Sequence, residues 1–127
     1  MEHEQTARIP VRPERLYRTI ADIGSLTKFI PPLRSVRRTD PQHVEVNAEY
    51  EGHQQHGQAW FRTDDAAKRV EWGAEGQPYR GWMQVEPADD DASNLTLHVS
   101  TERLTGEHLG AVRAYVASTI ESLRKLF

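Results

Sequence analysis

TGEHLGAVRAYVASTIESLRKLF, residues 105–127, decides how the rest of the chain is read. Its apolar residues Leu109, Val112, Val116, Ile120, Leu123 and Phe127 recur at steps of three and four, which places them on one face of an α-helix. Arg113, Ser118, Glu121, Arg124 and Lys125 fall between them and give that helix a wet side. Thr105 suits the N-cap, Glu107 the first turn, and Arg124 with Lys125 the C-terminal end of the helix dipole. A helix with one apolar stripe must bury it against something, and the residues upstream supply a sheet.

Working back from the helix, residues 94–102 alternate, with Leu95, Leu97, Val99 and Thr101 on one side. Pro87 to Ser93 reads as a turn, and residues 79–86 put Tyr79, Gly81, Met83 and Val85 on one side. Residues 68–74 set Val70, Trp72 and Ala74 against Arg69, Glu71 and Gly73. Residues 53–63 form another strand, and 43–50 the clearest one, with Val44, Val46, Ala48 and Tyr50 opposite His43, Glu45, Asn47 and Glu49. Residues 34–39 make a strand ended by Asp40-Pro41. Before it, residues 25–30 form a short helix stopped by Pro31-Pro32. An earlier short helix opens at Pro13 with Leu16, Tyr17, Ile20 and Ile23 as its stripe, and residues 4–11 form a first strand. Consecutive strands, each with one apolar face and short turns, predict an antiparallel meander wet on its outer side. The order is strand, two short helices, about six strands and one long helix, an α+β arrangement.

The length of 127 residues fits one domain, with enough chain to bury a core without staples. There are no cysteines, which excludes disulfides, thiolate nucleophiles and Cys-ligated metal centres. With 16 Lys and Arg against 19 Asp and Glu, the net charge of −3 predicts neither nucleic acid nor an anionic membrane as partner. No apolar run approaches the roughly 18 residues that would span a bilayer. The polar start Met1-Glu2-His3-Glu4-Gln5 does not read as a signal peptide, so the expected location is the cytoplasm. Nothing distinguishes a monomer from a homodimer.

Several stretches together resemble the START-like or SRPBCC superfamily (the helix-grip fold), in its polyketide cyclase/dehydrase branch. Ile9-Pro10-Val11-Arg12-Pro13-Glu14-Arg15-Leu16-Tyr17 resembles its passage from strand to helix, and Asp22 to Pro32 its second helix and proline turn. Asp64-Asp65-Ala66-Ala67-Lys68-Arg69-Val70-Glu71-Trp72 resembles its acidic turn and following strand, and Tyr79-Arg80-Gly81 opens the next. The resemblance implies a curved antiparallel sheet of about seven strands, two short helices after strand 1, and the long C-terminal helix across the concave face. It implies one such domain over residues 1–127 and, the chain being short for the group, a small or partly filled cavity. Relatives include lipid carriers, cyclases, hormone binders and co-chaperones, so fold does not fix function.

In that architecture the sheet and the long helix enclose a pocket. Alternation puts Tyr50, Trp72, Tyr79, Met83 and Leu97 inward, joined by Val112, Tyr115 and Val116 from the helix. The same pattern would specify a plain core, with tyrosine hydroxyls reaching solvent. Residues 53–63 have two phases; the one with His53, Gln55, Gly57, Ala59 and Phe61 inward holds the small and apolar members, which makes Gln55 a polar group in the cavity. His53 and His56 lie on opposite faces of a strand and cannot share an ion, and no metal or other cofactor is expected. No Gly-x-Ser-x-Gly elbow or phosphate-cradling loop is present, so catalysis would be acid–base work with His53 or His56 as base and a tyrosine as donor. Phe29-Ile30-Pro31-Pro32-Leu33 reads as a staple under the first strand, ahead of a lid or a docking patch. The expected function is binding of a small, largely hydrophobic molecule (lipid, polyketide or aromatic). The alternatives are a cyclase/dehydrase-type enzyme and an interaction module with a filled core.

Overall fold

The computed structural model describes residues 2–50, 52–76, 79–101 and 106–127, with side chains described throughout these except at Tyr50, His53, Gln55, Thr101 and residues 106–111. Strand β1 (Glu2–Ile9) leads into helix α1 (Pro13–Ala21), a 3-10 turn (Ile23–Ser25) and helix α2 (Leu26–Phe29). Six strands follow: β2 (Leu33–Asp40), β3 (His43–Tyr50), β4 (His53–Asp64), β5 (Arg69–Ala74), β6 (Tyr79–Asp89) and β7 (Ala92–Thr101). Helix α3 (Gly106–Arg124) comes last. The sheet order is β1-β7-β6-β5-β4-β3-β2, antiparallel throughout, so β1 and β2 form its two edges. This is the helix-grip arrangement.

Local chemistry explains the elements. Pro13 sits in the first turn of α1, and Leu16, Tyr17 and Ile20 form its buried face. Asp22 then accepts from the Gly24 amide (3.2 Å) and the Ser25 hydroxyl (2.9 Å), which ends one helix and opens the next turn. Aspartates also close the hairpins. Asp40 accepts from the Gln42 amide (2.9 Å), Asp64 from that of Ala67 (3.1 Å) and Asp89 from that of Asp91 (3.1 Å).

Two of the boundaries that differ from the sequence reading have a local cause in proline. β1 stops at Ile9 because Pro10 has no N–H for the ladder, although Val11 is still buried. β6 runs through Pro87 to Asp89, where a turn is expected, because the register shifts between these residues and a bulge accommodates the proline.

Val116, Ile120 and Leu123 of α3 are each at most 2% exposed, and each contributes roughly 2 kcal/mol of burial. They join Ile9, Leu16, Ile20, Phe29, Leu95 and Leu97 in one core. α3 packs on α2 and β1, while α1 packs on β5, β6 and β7. The Phe29–Leu33 segment is therefore not a staple under β1: Phe29 is fully buried, and α2 is held between α3 and β2. Leu109 of the helical stripe lies outside the described side chains.

The other face of the sheet carries the charges. Arg69 covers the Trp82 ring at 4.1 Å, and Trp82 stacks on His98 with centroids 5.1 Å apart, so His98 faces outward.

Candidate functional site

Directly opposed residues of an antiparallel pair share a face, so the register defines the floor of the concave side. Toward β1 the floor is filled with large side chains: Val70, Met83 and Leu97 form one cross-strand row. Toward β2 the rows shrink to Val44–Ala59–Ala74 and Val36–Val46–Gly57. Since α1 and α3 pack over the other half, these small residues leave a cavity of about 310 Å³. Ile20, Leu26, Ile30 and Leu33 wall it from above, and Phe61, Trp72 and Met83 close its inner end.

Gly57, Ala59 and Phe61 are on the concave side, the phase expected for β4, and Trp60 and His56 are on the other. The His56 ring turns to Asn47 Oδ1 (2.6 Å) and Glu45 Oε1 (3.5 Å). Glu75, at the rim, is 3.6 Å from His43 Nε2. Among the described residues bordering the cavity, His56 and Glu75 are the only titratable ones apart from two tyrosines. No three described His, Asp or Glu side chains converge on a point that could hold a metal ion.

The polar groups that do belong to the cavity form one cluster. Trp72 lies flat over Gly81, where an added Cβ would stand 2.6 Å from Trp72 Cζ2 and 2.9 Å from the His98 carbonyl. From there Trp72 Nε1 donates a long hydrogen bond (3.4 Å) to Tyr79 Oη. The Tyr115 hydroxyl, from α3, lies near the same oxygen. Burial is the main reason both phenols are harder to ionise: Tyr79 is raised, and Tyr115 is held well above the usual tyrosine value, with its Tyr79 neighbour adding to the effect. Both remain protonated hydrogen-bond donors at any physiological pH. Thr119, one turn along from Tyr115, buries a hydroxyl that has no hydrogen bond of ordinary length.

Of the residues singled out from sequence, Trp72, Tyr79, Met83 and Tyr115 border the cavity. Leu97 and Val116 are fully buried in the packed core, and Val112 packs against that core. These three support the wall without forming it, because the space beside them is already occupied. The side chains of Tyr50 and Gln55 lie outside the described residues; the Gln55 backbone pairs with Ala48, itself on the cavity floor. Sequence reasoning missed Ala48, Ala59 and Ala74 as site residues. Their signal is a run of small side chains at inward positions, which searching for aromatic and polar contacts overlooks.

Residues 9–105 match the family model described as polyketide cyclase / dehydrase and lipid transport. The chain belongs to this family. Solved structures agree on the fold. The di-domain ARO/CYC BexL from the BE-7585A biosynthetic pathway is 20% identical with a TM-score of 0.82; the match covers 98% of this chain and 45% of that one, so this chain spans less than half its length. The Zhui aromatase/cyclase from Streptomyces sp. R1128 is 13% identical at a TM-score of 0.80, covering 98% of this chain and 92% of that one. A START superfamily protein from Mycobacterium smegmatis is 13% identical at a TM-score of 0.78, covering 99% of each chain. At these identities the likeness concerns fold alone. No curated protein sequence matches the chain. No helix among its described residues is long and apolar enough to cross a membrane.

Proposed function

We propose that residues 1–127 act as one START-like domain that binds a small, largely apolar molecule between the sheet and α3, with Trp72, Tyr79, Met83 and Tyr115 in contact with it and Leu97, Val112 and Val116 behind. The observation that carries this reading is the cavity of about 310 Å³, at the lower end of the range for ligand sites and walled mostly by aliphatic and aromatic side chains. A cytoplasmic location fits the same reading.

A cyclase/dehydrase-type enzyme would need a base near the substrate. Among the described residues His56 is directed at Asn47 and Glu45, and the two cavity tyrosines are held protonated, so binding is the better-supported activity. An interaction module with a filled core would lack the cavity and would expose an apolar patch. Leu126, 39% exposed, is the most exposed large apolar residue among those described.

Native mass spectrometry of the purified chain tests the reading, with the expected outcome a non-covalent adduct that organic solvent removes. Thermal-shift screening against lipids, polyketides and aromatic acids gives a second measure: a ligand at a hundredfold excess over its Kd stabilises the fold by about 2.7 kcal/mol. No adduct and no stabilising compound would count against it.

A further inference from the structure

Tyr79 Oη receives a hydrogen bond from Trp72, and both residues border the cavity. The indole N–H of Trp72 can only donate, and it reaches Oη at 3.4 Å. The Tyr115 hydroxyl, also on the cavity wall, lies near the same oxygen. With Trp72 on one lone pair of Oη, the Tyr79 hydroxyl donates no hydrogen bond of ordinary length among the described residues, and Tyr79 stands on the cavity wall. Donors that polarise one another in a low-dielectric site strengthen the terminal one. A ligand oxygen at this position would complete the chain.

The rest of the wall limits what can carry that oxygen. No described lysine or arginine borders the cavity to pair with an anion, and the one carboxylate, Glu75, is exposed at the rim beside His43. Burying an unpaired charge there would cost far more than a hydrogen bond returns. The volume of about 310 Å³ suits a compact ring system better than a long acyl chain. We propose that Tyr79 is the recognition point for an uncharged, ring-sized ligand with a ketone or quinone oxygen, which accepts the Tyr79 proton while its rings lie along Trp72 and the alanine floor. This assignment rests on the hydrophobic-ligand reading above.

Three probes of similar size separate the contributions: 2-acetylnaphthalene, 2-ethylnaphthalene and 2-naphthoate, titrated calorimetrically into the full chain and its Tyr79→Phe variant. The ketone is expected to bind about three- to tenfold tighter than the hydrocarbon, the worth of one neutral hydrogen bond, with the carboxylate weakest. In Tyr79→Phe the ketone should fall to parity with the hydrocarbon, whose own affinity is unchanged. A measurement independent of any variant is the infrared carbonyl stretch of bound 2-acetylnaphthalene, expected below its position in hexane. Equal affinity of ketone and hydrocarbon for the native chain, an unshifted carbonyl, or tightest binding of 2-naphthoate would each overturn the assignment and leave the cavity reading standing. Failure of all three probes to bind would remove both.

Discussion

Replacing Ala59 by Leu adds three carbons to the middle of the cavity floor, where Ala59 lies between Val44 and Ala74. If that volume is open to solvent, burying the added carbons contributes at most about 2.4 kcal/mol, at roughly 0.8 kcal/mol per carbon. Fixing a leucine rotamer costs about 0.5–1 kcal/mol, which leaves a net stabilisation of about 1.5 kcal/mol. With a urea m-value near 1.5 kcal/mol/M, the denaturation midpoint should rise by about 1 M. The same substitution should abolish binding of 2-ethylnaphthalene, because the leucine occupies its site. Urea titration followed by tryptophan fluorescence, with calorimetry on the same preparations, reads both effects. Were the floor packed instead, the leucine would overfill it and destabilise by about 1–3 kcal/mol. A lower midpoint would therefore refute the claim that small side chains create the cavity, and a higher midpoint with undiminished binding would refute the claim that the ligand sits there.

Gly81→Ala should destabilise by about 1–3 kcal/mol, because its Cβ would meet Trp72 at 2.6 Å and the His98 carbonyl at 2.9 Å, and the backbone cannot give way. Gly57→Ala, with nothing within 4 Å of its Cβ, should be neutral or stabilising by up to about 1 kcal/mol; thermal denaturation compares the two. Lys68 turns the chain from β4 to β5 at φ +53°, so Lys68→Gly should stabilise by about 1 kcal/mol, measured as a shift in the urea midpoint. Tyr17, through burial and its hydrogen bond to Asp65 (2.5 Å), is pushed up to about 12 from an ordinary 10.0. Its neutral form is thus favoured by folding, so its contribution is complete below pH 10 and is lost as pH rises toward 12. Tyr17→Phe should flatten the alkaline stability profile over that window, as followed by circular dichroism.

Most of the fold is legible in the sequence because period-2 and period-3.6 patterns are separate and strong. Val44, Val46 and Ala48 alternate with polar residues, whereas Val116, Ile120 and Leu123 recur at steps of three and four. The phase of β4 was harder, since both parities carry a histidine and an aromatic ring, but Gly57 and Ala59 betray the buried side. What the pattern cannot encode is the gap between wall and core. Leu95 and Leu97 share a face with Val46 and Gly57, yet the first pair is packed in the core and the second bounds empty space. The difference comes from where α1 and α3 come down on the sheet, a long-range outcome that no local window contains. The polar cluster was hidden for the same reason: Trp72, Tyr79 and Tyr115 come from β5, β6 and α3 and meet only in the folded chain.

The gap itself argues for an occupant. The cavity of about 310 Å³ opens at a rim where exposed Glu75 stands, so water reaches it. Water is therefore the default occupant, about ten molecules by volume. Each such water wants two to four polar partners. Beyond the outward-facing His56, Gln58 and Trp60 and the rim residue Glu75, the polar side-chain groups described on the cavity walls are the hydroxyls of Tyr79 and Tyr115 and the Trp72 N–H, and that N–H is already given to Tyr79. Most of the waters would face aliphatic carbon and leave readily. An apolar ligand that displaces them loses few hydrogen bonds and gains contact with Ile20, Ile30, Val46 and Trp72. Filling the floor from within, as Ala59→Leu does, and filling it with a ligand should then be mutually exclusive routes to the same stabilisation. The Ala59→Leu variant should gain nothing further from a saturating concentration of 2-ethylnaphthalene, whereas the native chain should.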